Sequence, residues 1–268
     1  MSTFTVDDDG TGARRLRFAD TLGILDPFGT YERISTLRRA TDLEIEIHAH
    51  DDLGLATANT LAACLAGATH ANTTVNGLGE RAGNAPLEEV VLGLRKLHNI
   101  ETGIDLKGFP ALSAQVASAS GRAVPWQKSV VGPGAFCHEA GIHVDGLLKH
   151  PDNYQGFDPR EVGRSHRIVL GKHSGSRAVQ VVFAELGIPL DEREAQALLT
   201  RVSRLATRES RTQLVRQEVL PLLHAATSML ATSRSLRPMS ASPAARATGS
   251  GMASAVTTLS RAAVASCS

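Results

Sequence analysis

The sequence predicts an α/β protein: the C-terminal part of a TIM (β/α)8 barrel, about three βα units, followed by a mostly helical subdomain and a disordered tail. Three observations predict it. Short apolar runs alternate with helical patterns up to about residue 105, polar residues stand where the runs end, and the alternation then stops. Repeated βα units imply parallel strands under helices, with the chemistry of a barrel at the C-terminal strand ends. Because three parallel strands cannot close a barrel, we expect the last three-eighths of one.

Each unit is a short apolar run followed by a helix with a recognisable start or stop. The predicted strands are Leu16–Ala19, Leu43–His50 and Asn72–Val75. The predicted helices run from Pro27 to about Arg39, from Leu53 to about Ala66 and from Leu87 to about Leu97. Asp26 caps the first helix, whose first turn accommodates Pro27, whereas Gly67 stops the second and Pro86 starts the third.

The rest of the chain is predicted to be helical and then disordered. An Ala/Ser/Gln-rich helix is expected between residues 110 and 122, and apolar spacing predicts helices at Ser176–Glu185 and Glu192–Thr207. From Ala231 onward the sequence is mostly Ala, Ser, Thr, Gly and Arg without apolar periodicity, which is typical of disorder. The predicted domains are a partial barrel at residues 1–105, a helical linker with a C-terminal subdomain at 106–230, and a low-complexity tail at 231–268.

Composition excludes several classes of function. A net charge of +1 over 268 residues gives no electrostatic reason to expect nucleic acid or an acidic membrane as a partner. The three cysteines are far apart and form no CxxC, which favours a reducing cytoplasm over disulfides or a cysteine zinc site. No run approaches the roughly 20 apolar residues of a membrane span. We therefore expect a soluble cytoplasmic protein.

The second predicted strand ends in a pair of histidines. Residues i and i+2 of a strand point to the same face, so His48 and His50 lie about 6–7 Å apart along the strand and can hold one divalent cation. Asn84 closes the polar, glycine-rich run Asn76–Asn84 that follows the third strand. A lone strand histidine is more often structural, and Asp51 and Asp52 are better explained as helix caps than as ligands.

Five runs carry a resemblance to a known family. His48–Asn59, Asn76–Asn84 and Phe136–Asp145, in this order and supported by Tyr154–Pro159 and Leu170–Gly175, resemble the Claisen-condensing acyl-CoA synthases. This family comprises 2-isopropylmalate, citramalate and homocitrate synthases, and the resemblance covers roughly residues 13–205. It implies that the barrel part is a pyruvate carboxyltransferase-like catalytic domain.

The resemblance also implies roles for individual residues. His48, His50 and Asn84 would be ligands of a divalent cation, with Mn, Mg and Zn left open. Thr21 would hold the carboxylate of a 2-oxo acid, although a turn residue remains the alternative for it. His143, as the base, and Tyr154, as a proton relay, would reach over the active site of a partner chain in a homodimer, although packed structural residues remain the alternative for both.

Within the family, the motifs are most similar to homocitrate synthases of nitrogen fixation. This similarity implies an acyltransferase that condenses acetyl-CoA with 2-oxoglutarate to homocitrate and CoA. A 2-isopropylmalate or citramalate synthase, or a non-catalytic partner subunit, is the alternative. The Arg-Asp-Gly-Glu-like motif of the family's first barrel strand is not found in this sequence, so we expect an N-terminally truncated synthase that is inactive alone.

Overall fold

Three parallel strands, each followed by a helix, form the first part of the computed structural model, which describes residues 12–208 apart from the side chains of 205–208. The strands are β1 (Arg15–Asp20), β2 (Glu44–Ala49) and β3 (His70–Asn72), paired in the order β1-β2-β3. The helices are α1 (Pro27–Ala40), α2 (Ala56–Leu65) and α3 (Leu87–His98). Both strand pairs are parallel, so the predicted βα units are confirmed.

The two faces of this sheet differ in polarity because β1 and β2 alternate apolar and polar residues. Leu16, Phe18, Ile45 and Ile47 belong to the core that α1 and α2 cover. Arg15, Arg17, Glu44, Glu46 and His48 occupy the alternate positions of the same strands, which place their side chains on the opposite face. One face is therefore a hydrophobic core and the other carries charges.

Two predicted boundaries were wrong. Helix α2 begins at Ala56 and not at Leu53, because Asp51 accepts a hydrogen bond from the Ala56 amide (2.9 Å) and the intervening residues form a turn with Gly54 at φ +70°. Strand β3 lies at His70–Asn72 and not at Asn72–Val75. Its pairing with β2 starts earlier because the hydroxyl and amide of Thr69 already bond to the backbone of Ile45.

The second part is mostly helical. The helices are α4 (Phe109–Ser120), α5 (Gly141–Lys149), α6 (Ser176–Glu185) and α7 (Glu192–Arg208). Three 3-10 turns and one parallel pair of two-residue strands, β4 (Cys137–His138) and β5 (Arg167–Ile168), accompany them. The three helices predicted here are confirmed within one or two residues. The predicted tail at 231–268 lies outside the described residues.

Helix α3 contributes to two hydrophobic cores. Val90 and Leu94 pack into the core of the sheet. Val91 and Leu92 pack instead into a second core, with Leu106, Phe109, Val130, Val131 and Val162. The second part of the chain is therefore fixed to the sheet through α3. Among the described residues, no helix has the length and apolarity that crossing a membrane requires.

Candidate metal centre

The two strand-end histidines converge. His48 Nε2 and His50 Nε2 are 3.0 Å apart, and the rings meet edge to face with centroids separated by 4.8 Å. Nitrogen ligands lie about 2.0–2.1 Å from an ion such as zinc, so two of them can be up to about 4.2 Å apart when they share it. A separation of 3.0 Å therefore fits a single cation held by both imidazoles.

Asn84 supplies a third polar atom beside this pair. His50 and Asn84 form an isolated antiparallel bridge, and the Asp51 amide donates to the Gly83 carbonyl at 2.9 Å. The Asn84 Nδ2 donates to the Leu78 carbonyl at 3.0 Å, whereas Oδ1 is buried and has no hydrogen-bond partner. Buried acceptors almost always have a partner, so an orphaned amide oxygen at this position fits a cation ligand.

The glycines of the Asn76–Asn84 run let this loop fold tightly. Gly83 has φ +102°, and a Cβ there would overlap with the carbonyl oxygen of Gly77. A Cβ at Gly79 would overlap with the side chain of Asn84 itself. The loop start is held by Asn76, whose Nδ2 donates to the Ser113 carbonyl of α4 at 3.0 Å. The glycines therefore allow close packing around Asn84 and do not form a phosphate loop.

Each histidine has one further hydrogen-bond partner. His48 Nδ1 lies 3.1 Å from Asn72 Oδ1, and His50 Nδ1 lies 2.7 Å from an Arg81 guanidinium nitrogen. Arginine only donates, so His50 Nδ1 accepts and its Nε2 carries the proton that points at His48. Burial and the neighbouring charge of Arg81 lower the pKa of His50. The lowered pKa favours the neutral form of the His50 ring.

The sequence alone leaves two roles open for Arg81, an ion pair within its loop or a contact with substrate. Arg81 forms a two-pronged ion pair with Asp52, at 2.7 and 2.8 Å, and donates to the Thr21 carbonyl at 2.8 Å. The hydrogen bonds from Arg81 lower the pKa of Asp52. Asp51 caps α2 as expected. Asp52 does not cap the helix but pairs with Arg81 and so holds the guanidinium between Thr21 and His50.

Thr21 is exposed at the end of β1. The buried carboxylate of Asp20 accepts hydrogen bonds from the Ile24 amide (3.3 Å) and the Leu25 amide (3.0 Å), which fixes the turn that follows. This turn leaves the Thr21 side chain facing solvent at the C-terminal edge of the sheet. Its backbone, through Arg81, is in the same hydrogen-bond network as His50.

His143 and Tyr154 form a separate pair. Their ring centroids are 4.5 Å apart, on α5 and on the following 3-10 turn. A Cβ at Gly146 would overlap with the Tyr154 ring, so this glycine allows the tyrosine to lie against α5. Within residues 12–208 the pair makes no hydrogen bond or ring contact with His48, His50 or Asn84.

No group of three His, Cys, Asp or Glu side chains suited to a metal occurs in the described part of the chain. The candidate centre is of a different kind, with two histidines and one asparagine amide.

Two family models match this chain. The HMGL-like model matches residues 5–116, and the model described as "Homocitrate synthase post-HMGL domain-like" matches residues 130–210. The first contains the sheet and the candidate metal centre, and the second contains His143 and Tyr154.

Curated relatives are similar over most of the chain. "2-Isopropylmalate synthase 2" of Caldanaerobacter subterraneus is 54% identical over 195 residues, which are 73% of this chain and 51% of that protein. "Homocitrate synthase 1" of Nostoc is 47% identical over 212 residues, or 79% and 56% of the two chains. "Homocitrate synthase" of Frankia alni is 51% identical over 176 residues, or 66% and 50%. The chain thus spans about half the length of the curated relatives it matches.

Proposed function

We propose that this chain, which belongs to the HMGL-like family, contributes the cation-binding and C-terminal parts of a synthase that condenses acetyl-CoA with a 2-oxo acid. The family includes homocitrate and 2-isopropylmalate synthases. The observation that carries the proposal is the convergence of His48 Nε2 and His50 Nε2 at 3.0 Å, together with the backbone bridge from His50 to Asn84, whose buried amide oxygen has no hydrogen-bond partner.

The condensation has two requirements. Negative charge on the ketone oxygen of the 2-oxo acid must be stabilised, and a proton must be removed from the methyl group of acetyl-CoA. A bound divalent cation would act as a Lewis acid on the ketone oxygen of the 2-oxo acid, and His48, His50 and Asn84 would hold it. The exposed Thr21 hydroxyl would donate a hydrogen bond to the adjacent carboxylate. His143 would take the proton from the acetyl-CoA methyl group, and the Tyr154 ring 4.5 Å away would orient it or relay that proton.

We propose 2-oxoglutarate as the 2-oxo acid: the methyl carbon of acetyl-CoA adds to its ketone carbon, and water then hydrolyses the thioester, giving homocitrate and CoA. The homocitrate synthases of Nostoc and Frankia alni, at 47% and 51% identity, support this choice. The proposal extends to the supply of homocitrate for the iron–molybdenum cofactor of nitrogen fixation, and to a cytoplasmic homodimer in which His143 and Tyr154 serve the partner chain.

A second candidate is a 2-isopropylmalate synthase. The relative from Caldanaerobacter, 54% identical over 195 residues, favours it. The two candidates share the same cation site and differ only in the 2-oxo acid, so one substrate comparison separates them.

Cation binding is the first test. Mn²⁺ is titrated into the full chain by calorimetry, with the His48→Ala/His50→Ala double variant beside it and His70→Ala as a matched strand-histidine control. We expect binding in the unmodified chain and in the control, and none in the double variant. No binding by the unmodified chain, or undiminished binding by the double variant, would overturn the proposal.

Substrate choice is the second test. Release of the CoA thiol from acetyl-CoA is followed with 2-oxoglutarate and with 2-oxoisovalerate, for the chain alone and mixed with the Nostoc homocitrate synthase. Preference for 2-oxoglutarate supports homocitrate synthesis, and preference for 2-oxoisovalerate supports the second candidate. Binding of Mn²⁺ without CoA release by the chain alone, but with altered release by the mixture, indicates a non-catalytic partner subunit.

A further inference from the structure

We infer that Asn72 is a positioning residue that fixes the ring of His48 with its proton on Nδ1, so that Nε2 is the unprotonated nitrogen able to bind the cation. This inference rests on the proposed cation site. Neither the family comparison nor the sequence pattern assigns a role to Asn72. The alternative is that Asn72 is a polar strand-end residue whose contact with His48 has no consequence for the site.

The parallel register brings the two residues together. His48 of β2 is the direct partner of Asn72 at the end of β3, and both side chains point to the polar face of the sheet. The distance from His48 Nδ1 to Asn72 Oδ1 is 3.1 Å, within the range of a hydrogen bond. Asn72 is half-buried, so water competes weakly for its amide.

The orientation of the Asn72 amide follows from its other neighbour. Its second polar atom lies 3.5 Å from a carboxylate oxygen of Glu46. Glu46 has only 8% of its side chain exposed and is paired with Arg17 at 2.6 Å and Arg15 at 3.2 Å. Each carboxylate oxygen of Glu46 faces a guanidinium donor, Oε1 that of Arg17 and Oε2 that of Arg15, so both oxygens act as acceptors. The NH₂ group of Asn72 must therefore face Glu46.

With the NH₂ group facing Glu46, the carbonyl oxygen Oδ1 faces His48. A carbonyl oxygen only accepts, so His48 Nδ1 must donate and Nε2 must be the unprotonated nitrogen. Metal-bound histidines are commonly fixed in this way by an acceptor on the nitrogen that does not bind the metal. Glu46 and Asn72 together thus prepare His48 for a cation before any cation arrives.

His50 has the opposite tautomer to His48. Arg81 donates to its Nδ1, which places the proton on Nε2, toward His48. The hydrogen bonds run in one direction, from Arg81 through His50, His48 and Asn72 to Glu46. Of the two Nε2 atoms, only that of His48 is unprotonated in this arrangement, and a bound cation would replace the hydrogen bond that it accepts from His50.

The tautomer of His48 can be read directly. Ring ¹⁵N chemical shifts are recorded by NMR on the full chain at about pH 8, where a histidine of reference pKa 6.5 is neutral. We expect Nδ1–H at His48 in the unmodified chain and in Asn72→Asp, whose carboxylate also accepts. In Asn72→Ala, and to a smaller extent in Glu46→Gln, the Nε2–H form should gain population. Unchanged shifts of His48 in Asn72→Ala would overturn the inference.

Cation affinity is the second readout. Mn²⁺ affinity should fall 10–100-fold in Asn72→Ala, the range typical of losing such a partner, and should recover to within about threefold in Asn72→Asp. The matched control is Asn153→Ala, an exposed asparagine on the 3-10 turn before Gln155, which should leave Mn²⁺ affinity unchanged. Circular dichroism of each variant checks the fold, and Asn72→Asp decides the question if Asn72→Ala does not fold.

The two hypotheses fail in different ways. If the unmodified chain binds no Mn²⁺, the proposed cation site is wrong, whereas the NMR experiment still tests the role of Asn72. If the unmodified chain binds Mn²⁺ and Asn72→Ala binds it equally well, the inference is wrong and the cation site stands. An affinity loss that Asn72→Asp does not recover also contradicts the inference, because a positioning acceptor is then not what was lost.

Discussion

Replacing Lys128 by methionine should destabilise the chain strongly, because it leaves a buried carboxylate without its countercharge. Glu88 on α3 is only 2% exposed, and its Oε1 makes no hydrogen bond but faces Lys128 Nζ at 3.5 Å. Glu88 Oε2 accepts from the Asn76 amide at 3.2 Å, and Lys128 also pairs with Glu89. The cluster therefore joins α3 to the start of the Asn76–Asn84 loop and to the segment that leads into the second part of the chain.

The expected magnitude follows from the distance and the burial. Two unit charges 3.5 Å apart attract by about 5 kcal/mol at an effective dielectric constant of about 20. Methionine avoids the desolvation of the ammonium group, which offsets part of this loss. Removing one partner of a buried pair typically costs about 3–5 kcal/mol, and we expect Lys128→Met to lie in that range.

Denaturant unfolding provides the measurement, as a shift in midpoint at constant slope. The double variant Glu88→Gln/Lys128→Met should regain about 2 kcal/mol or more, because the neutral amide needs no countercharge and can still accept from Asn76. Lys96→Met is the matched control: its ion pair with Glu161 also joins α3 to the second part but is about one-third exposed, so its loss should cost about 1 kcal/mol or less. A cost below about 1 kcal/mol for Lys128→Met would refute the reasoning.

Three further outcomes are expected. Asn84→Ala should lower Mn²⁺ affinity at least 10-fold by calorimetry. Denaturant unfolding should show a cost of about 1 kcal/mol, because the variant loses one hydrogen bond, from Nδ2 to the Leu78 carbonyl, while the buried oxygen has no partner to lose. Gly83→Ala should abolish Mn²⁺ binding, because the new Cβ would overlap with the Gly77 carbonyl oxygen and displace the loop that carries Asn84. Gly54→Ala is the control: its φ is also positive but it has open space around it, so it should lose only about 1 kcal/mol of stability. Burial lowers the pKa values of His138 and His166, so these groups take up protons on unfolding and the free energy of unfolding should fall as the pH drops below about 6.5. In His166→Gln, the denaturant midpoint of unfolding should depend less on pH.

The fold of the first part could be predicted because its signals are local. Asp26 indeed accepts from the Gly29 amide at 2.7 Å, and the apolar runs indeed form parallel strands. The missed start of α2 depends on one hydrogen bond that the Asp51 carboxylate accepts from the Ala56 amide, which competes with helix formation over the three residues before Ala56. The shifted end of β3 depends on pairing with Ile45 across the sheet, which no local pattern contains.

That shift also explains why Asn72 escaped notice. If Asn72 began a strand, as predicted, it would lie far from His48, which ends one. Because Asn72 instead ends β3, it pairs with His48 at the C-terminal edge of the sheet. Arg81 was recognised as polar but not placed, because its partners Asp52 and Thr21 are 29 and 60 residues away. His48, His50 and Asn84 could be proposed because family motifs surround them, and their roles stay predictions.

The alternation of charge along β1 and β2 gives the sheet a second purpose besides packing. Barrel interiors are usually filled with branched apolar residues, and an ion pair such as Arg17–Glu46, whose arginine is 59% exposed, contributes little net stability. The presence of such pairs is explained if they orient the next polar group, because Glu46 fixes Asn72 and Asn72 fixes His48. Apolar residues at positions 17 and 46 should then give a chain that is equally stable or more stable and yet binds a cation less well. Cation affinity would then fall while stability is kept or increased. If the charged residues served only the structure, replacing them would not lower cation affinity without also lowering stability.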